Sequence, residues 1–181
     1  MGEPRHILLF GERGVGKSTL IERLLAVNTR PVAGFVTKRL PPDETGFHPI
    51  YIHEAGIPVS ARVYTEENQI GVCDSKVHKP VEAVFDTLGV QYLGEAQPGG
   101  RIVMDELGFL EARADAFRKA VFRALEGGIP VLAAVKARYD VPFLNEVRAH
   151  KNCTVYEVTP ENRDALYETL LPVILAWNDM E

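Results

Sequence analysis

The sequence is poor in the features that would tie it to a membrane, an oxidising compartment or a polynucleotide. It has two cysteines, Cys73 and Cys153, far apart in the chain and without Cys-x-x-Cys spacing, which excludes a disulfide framework or a cysteine-rich zinc site. Its five histidines, His6, His48, His53, His78 and His150, form no helical pair with metal-ligand spacing and are assigned no chemistry. No apolar run approaches the roughly eighteen residues of a membrane span. Met1-Gly2-Glu3-Pro4-Arg5 carries an acid and a proline rather than the basic start of a secretory signal, so the expected location is cytoplasmic and no membrane partner is expected. Acidic residues outnumber basic ones for a net charge of −5, against a general affinity for nucleic acid. No low-complexity tract, long linker or repeat divides the 181 residues, which are read as one domain, 1–181.

What is present is a soluble, globular composition, 46% hydrophobic and 25% charged, with alternating strand and helix patterns. His6-Ile7-Leu8-Leu9-Phe10 reads as a buried parallel strand ending in a glycine loop, and Leu20, Ile21, Leu24 and Leu25 then recur at helical spacing. Later, Arg101 to Met104 leads into Asp105-Glu106. Phe117, Ala120, Val121, Ala124 and Leu125 make a helical stripe ending at Gly127-Gly128, and Pro130 opens the strand Val131 to Val135. Asp140 is expected to cap a helix over about Val141 to His150, followed by a strand Thr154 to Val158. Thr159-Pro160 is expected to open a last helix, with Leu166, Leu170 and Leu171 on one side and Pro172 as its kink or end. Between about Phe47 and Val72, three short segments, Ile50 to His53, Val59 to Tyr64 and Ile70 to Val72, read as a small antiparallel β insertion. Pro80 then starts a helix carrying Val81, Val84, Phe85 and Leu88. The alternation calls for an α/β three-layer sandwich around a mainly parallel sheet.

Gly11-Glu12-Arg13-Gly14-Val15-Gly16-Lys17-Ser18 fits the P-loop pattern and sits where its mechanism requires, between a buried strand and an amphipathic helix. The glycines let backbone N–H groups turn around a phosphate. Lys17 reaches the β- and γ-phosphates, Ser18 ligates a Mg²⁺ that bridges them, and Thr19 extends the anion-binding helix start. Asp105 ends an apolar strand on the ligand edge of the sheet, where it can hold a Mg²⁺-bound water. Glu106 can orient or deprotonate the water that attacks the γ-phosphate. An acidic pair after a strand also serves as a helix cap, and it is the pairing with a P-loop that favours chemistry. Lys136, Arg138, Arg163 and Arg13 are candidates to neutralise the transition state, with Arg138 chosen as the catalytic cation. Any of them also suits a solvated surface. Asn162, beside Arg163, is a candidate for the base or ribose. Phe85, Phe117 and Phe122 fall on helical stripes and read as core.

Gly11 to Thr19, Gly34-Phe35-Val36-Thr37, Asp105-Glu106-Leu107-Gly108-Phe109-Leu110-Glu111 and Val158 to Arg163, taken in order, resemble the THEP1-type nucleoside-triphosphatases over nearly the whole chain. The resemblance implies a P-loop domain with RecA-like sheet order that hydrolyses ATP, GTP and other nucleoside triphosphates with Mg²⁺. It supports the roles of Lys17, Ser18, Asp105 and Glu106, adds weight to Asn162 and Arg163 as nucleotide contacts, and brings in Glu111 without a stated task. The chain departs from the family in having Arg13 where the loop often carries proline, and Lys38-Arg39 where acids often follow Gly-Phe-x-Thr. Those changes alter the charge at the mouth, and with it the scope for a different substrate or partner.

Besides a hydrolase, the residues admit two other readings. One is a small nucleotide or nucleoside kinase, with an acceptor under the antiparallel segment, although the sequence shows no arginine-rich lid to shield the phosphoryl group. The other is a nucleotide-gated binding module with slow hydrolysis, whose macromolecular partner is unknown. No base-reading motif such as Asn-Lys-x-Asp is present, so broad base tolerance is expected.

Overall fold

The computed structural model describes residues 6–180; the stretch Met1 to Arg5, read above as no secretory signal, lies outside it. Among the described residues one sheet holds eight strands: β1 His6–Gly11, β2 Val32–Arg39, β3 His48–Glu54, β4 Gln69–Cys73, β5 His78–Pro80, β6 Arg101–Leu107, β7 Val131–Lys136 and β8 Cys153–Glu157. Their spatial order is β5-β4-β3-β2-β6-β7-β1-β8. The run β2-β6-β7-β1-β8 is parallel, and β3, β4 and β5 extend it antiparallel from the outer edge of β2. Because β7 stands between β1 and β6, the strand bearing the glycine loop and the strand bearing the acidic pair are one strand apart, the RecA-like order.

The two-residue period of a strand sends alternate side chains to opposite layers. Ile7, Leu9, Val103, Leu132 and Ala134 pack with Leu20, Ile21 and Leu24 of α1 (Lys17–Leu25) and with Leu170, Ile174 and Trp177 of α6 (Arg163–Asn178). Leu8, Ile102, Met104, Ala133 and Val135 face the other layer. There they meet Phe117 and Val121 of α4 (Asp115–Glu126), Phe85 of the π-wound turn Phe85–Gly89, and Phe143 of α5 (Pro142–Arg148). That π turn joins two short helices, α2 (Glu82–Val84) and α3 (Val90–Gly94). Fully buried Phe117 lies edge-on to Phe35 with ring centroids 5.4 Å apart, and 5.1 Å from Phe85. Burying such a side chain contributes about 1.5–3 kcal/mol. No helix among the described residues is long and apolar enough to cross a membrane.

Several local expectations are corrected. Val59 to Tyr64 is not a strand: Val59–Ala61 is a single 3-10 turn, and Val59 and Val63 are exposed, so no neighbouring strand completes a ladder there. The antiparallel part instead runs on to β5, which takes up Pro80 at an edge where a missing N–H is tolerated, and the helix begins two residues later. Asp140 does not cap α5. Its carboxylate receives two hydrogen bonds from Arg138, and Val141 stands at the cap without a side-chain bond. The Thr159-Pro160 segment makes a turn before α6, which starts at Arg163. Pro172 does not end α6, for the helix continues to Asn178. Pro172 is exposed, and buried Leu170, Ile174 and Trp177 anchor the helix on either side of it.

Candidate active site

The loop after β1 and the acidic end of β6 meet at the carboxyl edge of the parallel strands, where open α/β sheets hold ligands. Gly14 and Gly16 adopt φ of 81° and 103°, left-handed values that favour glycine. A Cβ on Gly16 would also come within 2.6 Å of the Arg163 side chain, and one on Gly11 within 2.6 Å of the Val158 carbonyl oxygen. The loop is therefore pressed against the segment after β8, and Val15 packs into the core beneath it. Glu12, Arg13 and Gly14 are exposed at its tip, as are Ser18 and Thr19 at the start of α1. The N-terminus of α1 has no side-chain cap, which leaves its first N–H groups for an anion.

Period-two alternation puts Asp105 on the same face of β6 as Val103, toward α1. The Ser18 hydroxyl donates to Asp105 Oδ1 at 2.9 Å across 87 residues of chain. Lys17, 5% exposed, donates through Nζ to the carbonyls of Gly11 (2.7 Å) and Glu12 (2.8 Å) and lies 3.1 Å from Glu106 Oε2. Lys136 Nζ stands 3.7 Å from the other oxygen of Glu106. Burial pushes the Asp105 carboxyl up to about 6, against the opposing hydrogen bond from Ser18.

Arg138 lines the same cleft, but its guanidinium is held by Asp140 in a two-pronged pair at 2.8 and 2.7 Å. Of the two cations at the end of β7, Lys136 and not Arg138 thus joins Lys17 in contact with Glu106. Arg163 lies over Gly16, beside the loop. Asn162 donates to the Glu157 carbonyl (2.8 Å) and accepts from the Thr159 N–H (2.8 Å), so its amide serves the turn before α6. Glu111, to which the sequence lent no task, is 2% exposed and accepts the Gly108 N–H, fixing the turn that carries Phe109 next to Glu106. Its own burial, opposed by that bond, raises its carboxyl to about 7.

The cleft holds about 330 Å³ and reaches from Ser18, Asp105 and Glu106 out to Arg39, His78 and Phe109. Arg13, Arg39, Lys136 and Arg138 all line it. No cluster of basic residues was visible along the chain, because these four come from three separate segments, the P-loop, β2 and the end of β7. Strand β2, which puts Thr37 and Arg39 on one face, carries no clean apolar alternation in its sequence to mark it.

The NTPase family model matches residues 6–171. Nucleoside-triphosphatase THEP1 of Aquifex aeolicus is 29% identical over 175 residues, covering 93% of this chain and 98% of that one. The cancer-related nucleoside-triphosphatase homolog of Bos taurus is 31% identical over 177 residues, covering 90% and 92%. Among solved structures, THEP1 from the hyperthermophile Aquifex aeolicus superposes with a TM-score of 0.74 at 22% identity, over 93% of this chain and 98% of that chain, a likeness of fold. The chain therefore belongs to the THEP1-type NTPase family and is a hydrolase of nucleoside triphosphates.

Proposed function

We propose that the chain, acting as one P-loop domain in the cytoplasm, hydrolyses ATP, GTP and other nucleoside triphosphates with Mg²⁺ to the diphosphate and phosphate. The observation that carries this is the convergence of Lys17 and Ser18 with Glu106 and Asp105 at 3.1 and 2.9 Å. The donor set suits Mg²⁺: a hydroxyl and a carboxylate, both oxygen ligands, stand side by side, and a cation there would offset the burial of Asp105. Ser18 and Asp105 would hold Mg²⁺, which would supply positive charge to the β- and γ-phosphates.

The protein's own residues do the rest. Backbone N–H groups of Gly14 to Thr19 cradle the phosphates, with Glu12, Arg13 and Val15 as the remaining members of the loop. Lys17, now turned onto the carbonyls of Gly11 and Glu12 and onto Glu106, exchanges these contacts for phosphate oxygens. That exchange frees Glu106 Oε2 to orient the attacking water and take its proton. Lys136 keeps hold of the other Glu106 oxygen and adds positive charge near the γ-phosphoryl as it passes to water, a part for which Arg138 is the second candidate. Arg163 is the side chain over the loop for the nucleotide, and with the Asn162 amide held by its own turn, base tolerance is expected to be broad.

The test is phosphate release from ATP, GTP and CTP with Mg²⁺ by the native chain, Lys17→Ala and Glu106→Gln. All three nucleotides should be hydrolysed, with Glu106→Gln lowering kcat by about 10²–10⁴ while nucleotide still binds. Unchanged turnover in Glu106→Gln would dispose of the mechanism.

A further inference from the structure

The cleft continues past Glu106, and its far part has an unpaired cation. Thr37 and Arg39, alternate residues of β2, both line it. Arg39 takes part in no ion pair among the described residues, and its buried Nε has no hydrogen-bond partner. A buried N–H without a partner is costly, and an anion that accepts from Nε and an Nη together would satisfy it.

The carboxylates nearby do not fill that role. Glu106 is taken by Lys17 and Lys136, and Asp105 accepts from Ser18. Asp74 accepts the N–H groups of Lys76 and Val77, both at 2.6 Å, and Glu12 is exposed on the P-loop. Across the cleft, His78 stacks on Phe109 with centroids 4.3 Å apart, and Lys136 and Arg138 lie 4.8 and 4.9 Å from the centre of the same ring. Desolvation first, and then the charges of Arg138 and Lys136, hold the His78 pKa below its ordinary value, consistent with a positive field at this end.

We propose that this part of the cleft is a second phosphate subsite, in which Arg39, with Lys136 and Arg138 opposite, binds a phosphate dianion beyond the γ-position. The inference rests on the reading that the triphosphate occupies the P-loop, for only then does the subsite continue its chain. Arginine's planar fork matches phosphate oxygens two at a time, which suits it to this ligand. Two sources present the same chemistry: the terminal phosphate of a nucleoside tetraphosphate, or a separate phosphorylated molecule bound beside the triphosphate.

Equilibrium binding with Mg²⁺ separates them. ATP and adenosine 5′-tetraphosphate are compared on the native chain, Arg39→Gln and Arg39→Lys. In parallel, inorganic pyrophosphate is titrated onto each protein loaded with the β,γ-imido analogue of ATP. The native chain is expected to prefer the tetraphosphate by on the order of tenfold to a hundredfold. Arg39→Gln removes that preference while its ATP affinity holds, and Arg39→Lys retains part of it. If the tetraphosphate has no advantage but pyrophosphate binds the loaded protein and Arg39→Gln abolishes this, the subsite serves a separate molecule and the proposal stands. If neither anion depends on Arg39 while ATP binds normally, the subsite does not exist and the hydrolase reading survives. If ATP itself fails to bind the native chain, the P-loop reading falls and this inference with it.

Discussion

Glu111→Gln should change how stability depends on pH. Glu111 is 2% exposed, and its burial raises the carboxyl from an ordinary 4.5 to about 7. The folded chain then holds this proton more tightly than the unfolded chain, so stability is greatest below about pH 4.5, declines as pH rises toward 7 and is level above it. At about 1.4 kcal/mol per pH unit, the native protein loses about 2–3 kcal/mol from this group between pH 5 and pH 8. Glutamine keeps the oxygen that accepts the Gly108 N–H but carries no charge, so the variant lacks that decline. Its amide NH₂ adds an offset that does not vary with pH. Asp105, also raised, contributes equally to both proteins and cancels in the difference. Urea denaturation of both proteins at pH 5, 6, 7 and 8 measures this directly. Glu111→Gln should gain about 2–3 kcal/mol on the native chain across the series. A difference that stays constant from pH 5 to pH 8 would refute the claim that Glu111 is a buried acid protonated near neutrality.

Two further outcomes follow from particular contacts. Lys136→Met should lower kcat on the order of a hundredfold with little change in KM, because Lys136 touches Glu106, while Arg138→Gln should cost less than about tenfold because Asp140 holds that guanidinium. Steady-state kinetics giving the reverse order would restore Arg138 as the principal cation. Phe117→Ala should lose about 3–5 kcal/mol in urea denaturation, since the ring is fully buried between Phe35 and Phe85 and lies so close to Gly89 that a Cβ there would be 2.6 Å from it. A loss under about 1 kcal/mol would mean that the pocket collapses around the smaller side chain.

Much of the architecture was legible because its signals are local. An apolar run closed by glycines marks β1 and the P-loop, and the helical stripes of α1 and α4 repeat within a few residues. Strand β2 was recognised only as the motif Gly34 to Thr37, because Gly34, at φ 99°, and the charged Lys38-Arg39 interrupt the apolar alternation. What makes it a strand is pairing with β6 and β3, both distant in sequence. The Val59 to Tyr64 segment erred the other way: its β-branched residues suggest a strand, yet no strand among the described residues pairs with them.

At the site, sequence alone was enough to nominate Lys17, Ser18, Asp105 and Glu106, since a P-loop and an acidic strand end are read from residue type and spacing. That Lys136 joins Lys17 at Glu106, that Asn162 serves its own turn, that Glu111 is buried and that Arg39 has no carboxylate partner among the described residues were decided by the tertiary structure alone. Each depends on which side chains from separate strands share one small volume. Charge, burial and hydrogen-bond satisfaction are properties of that shared volume, and no stretch of chain carries them by itself.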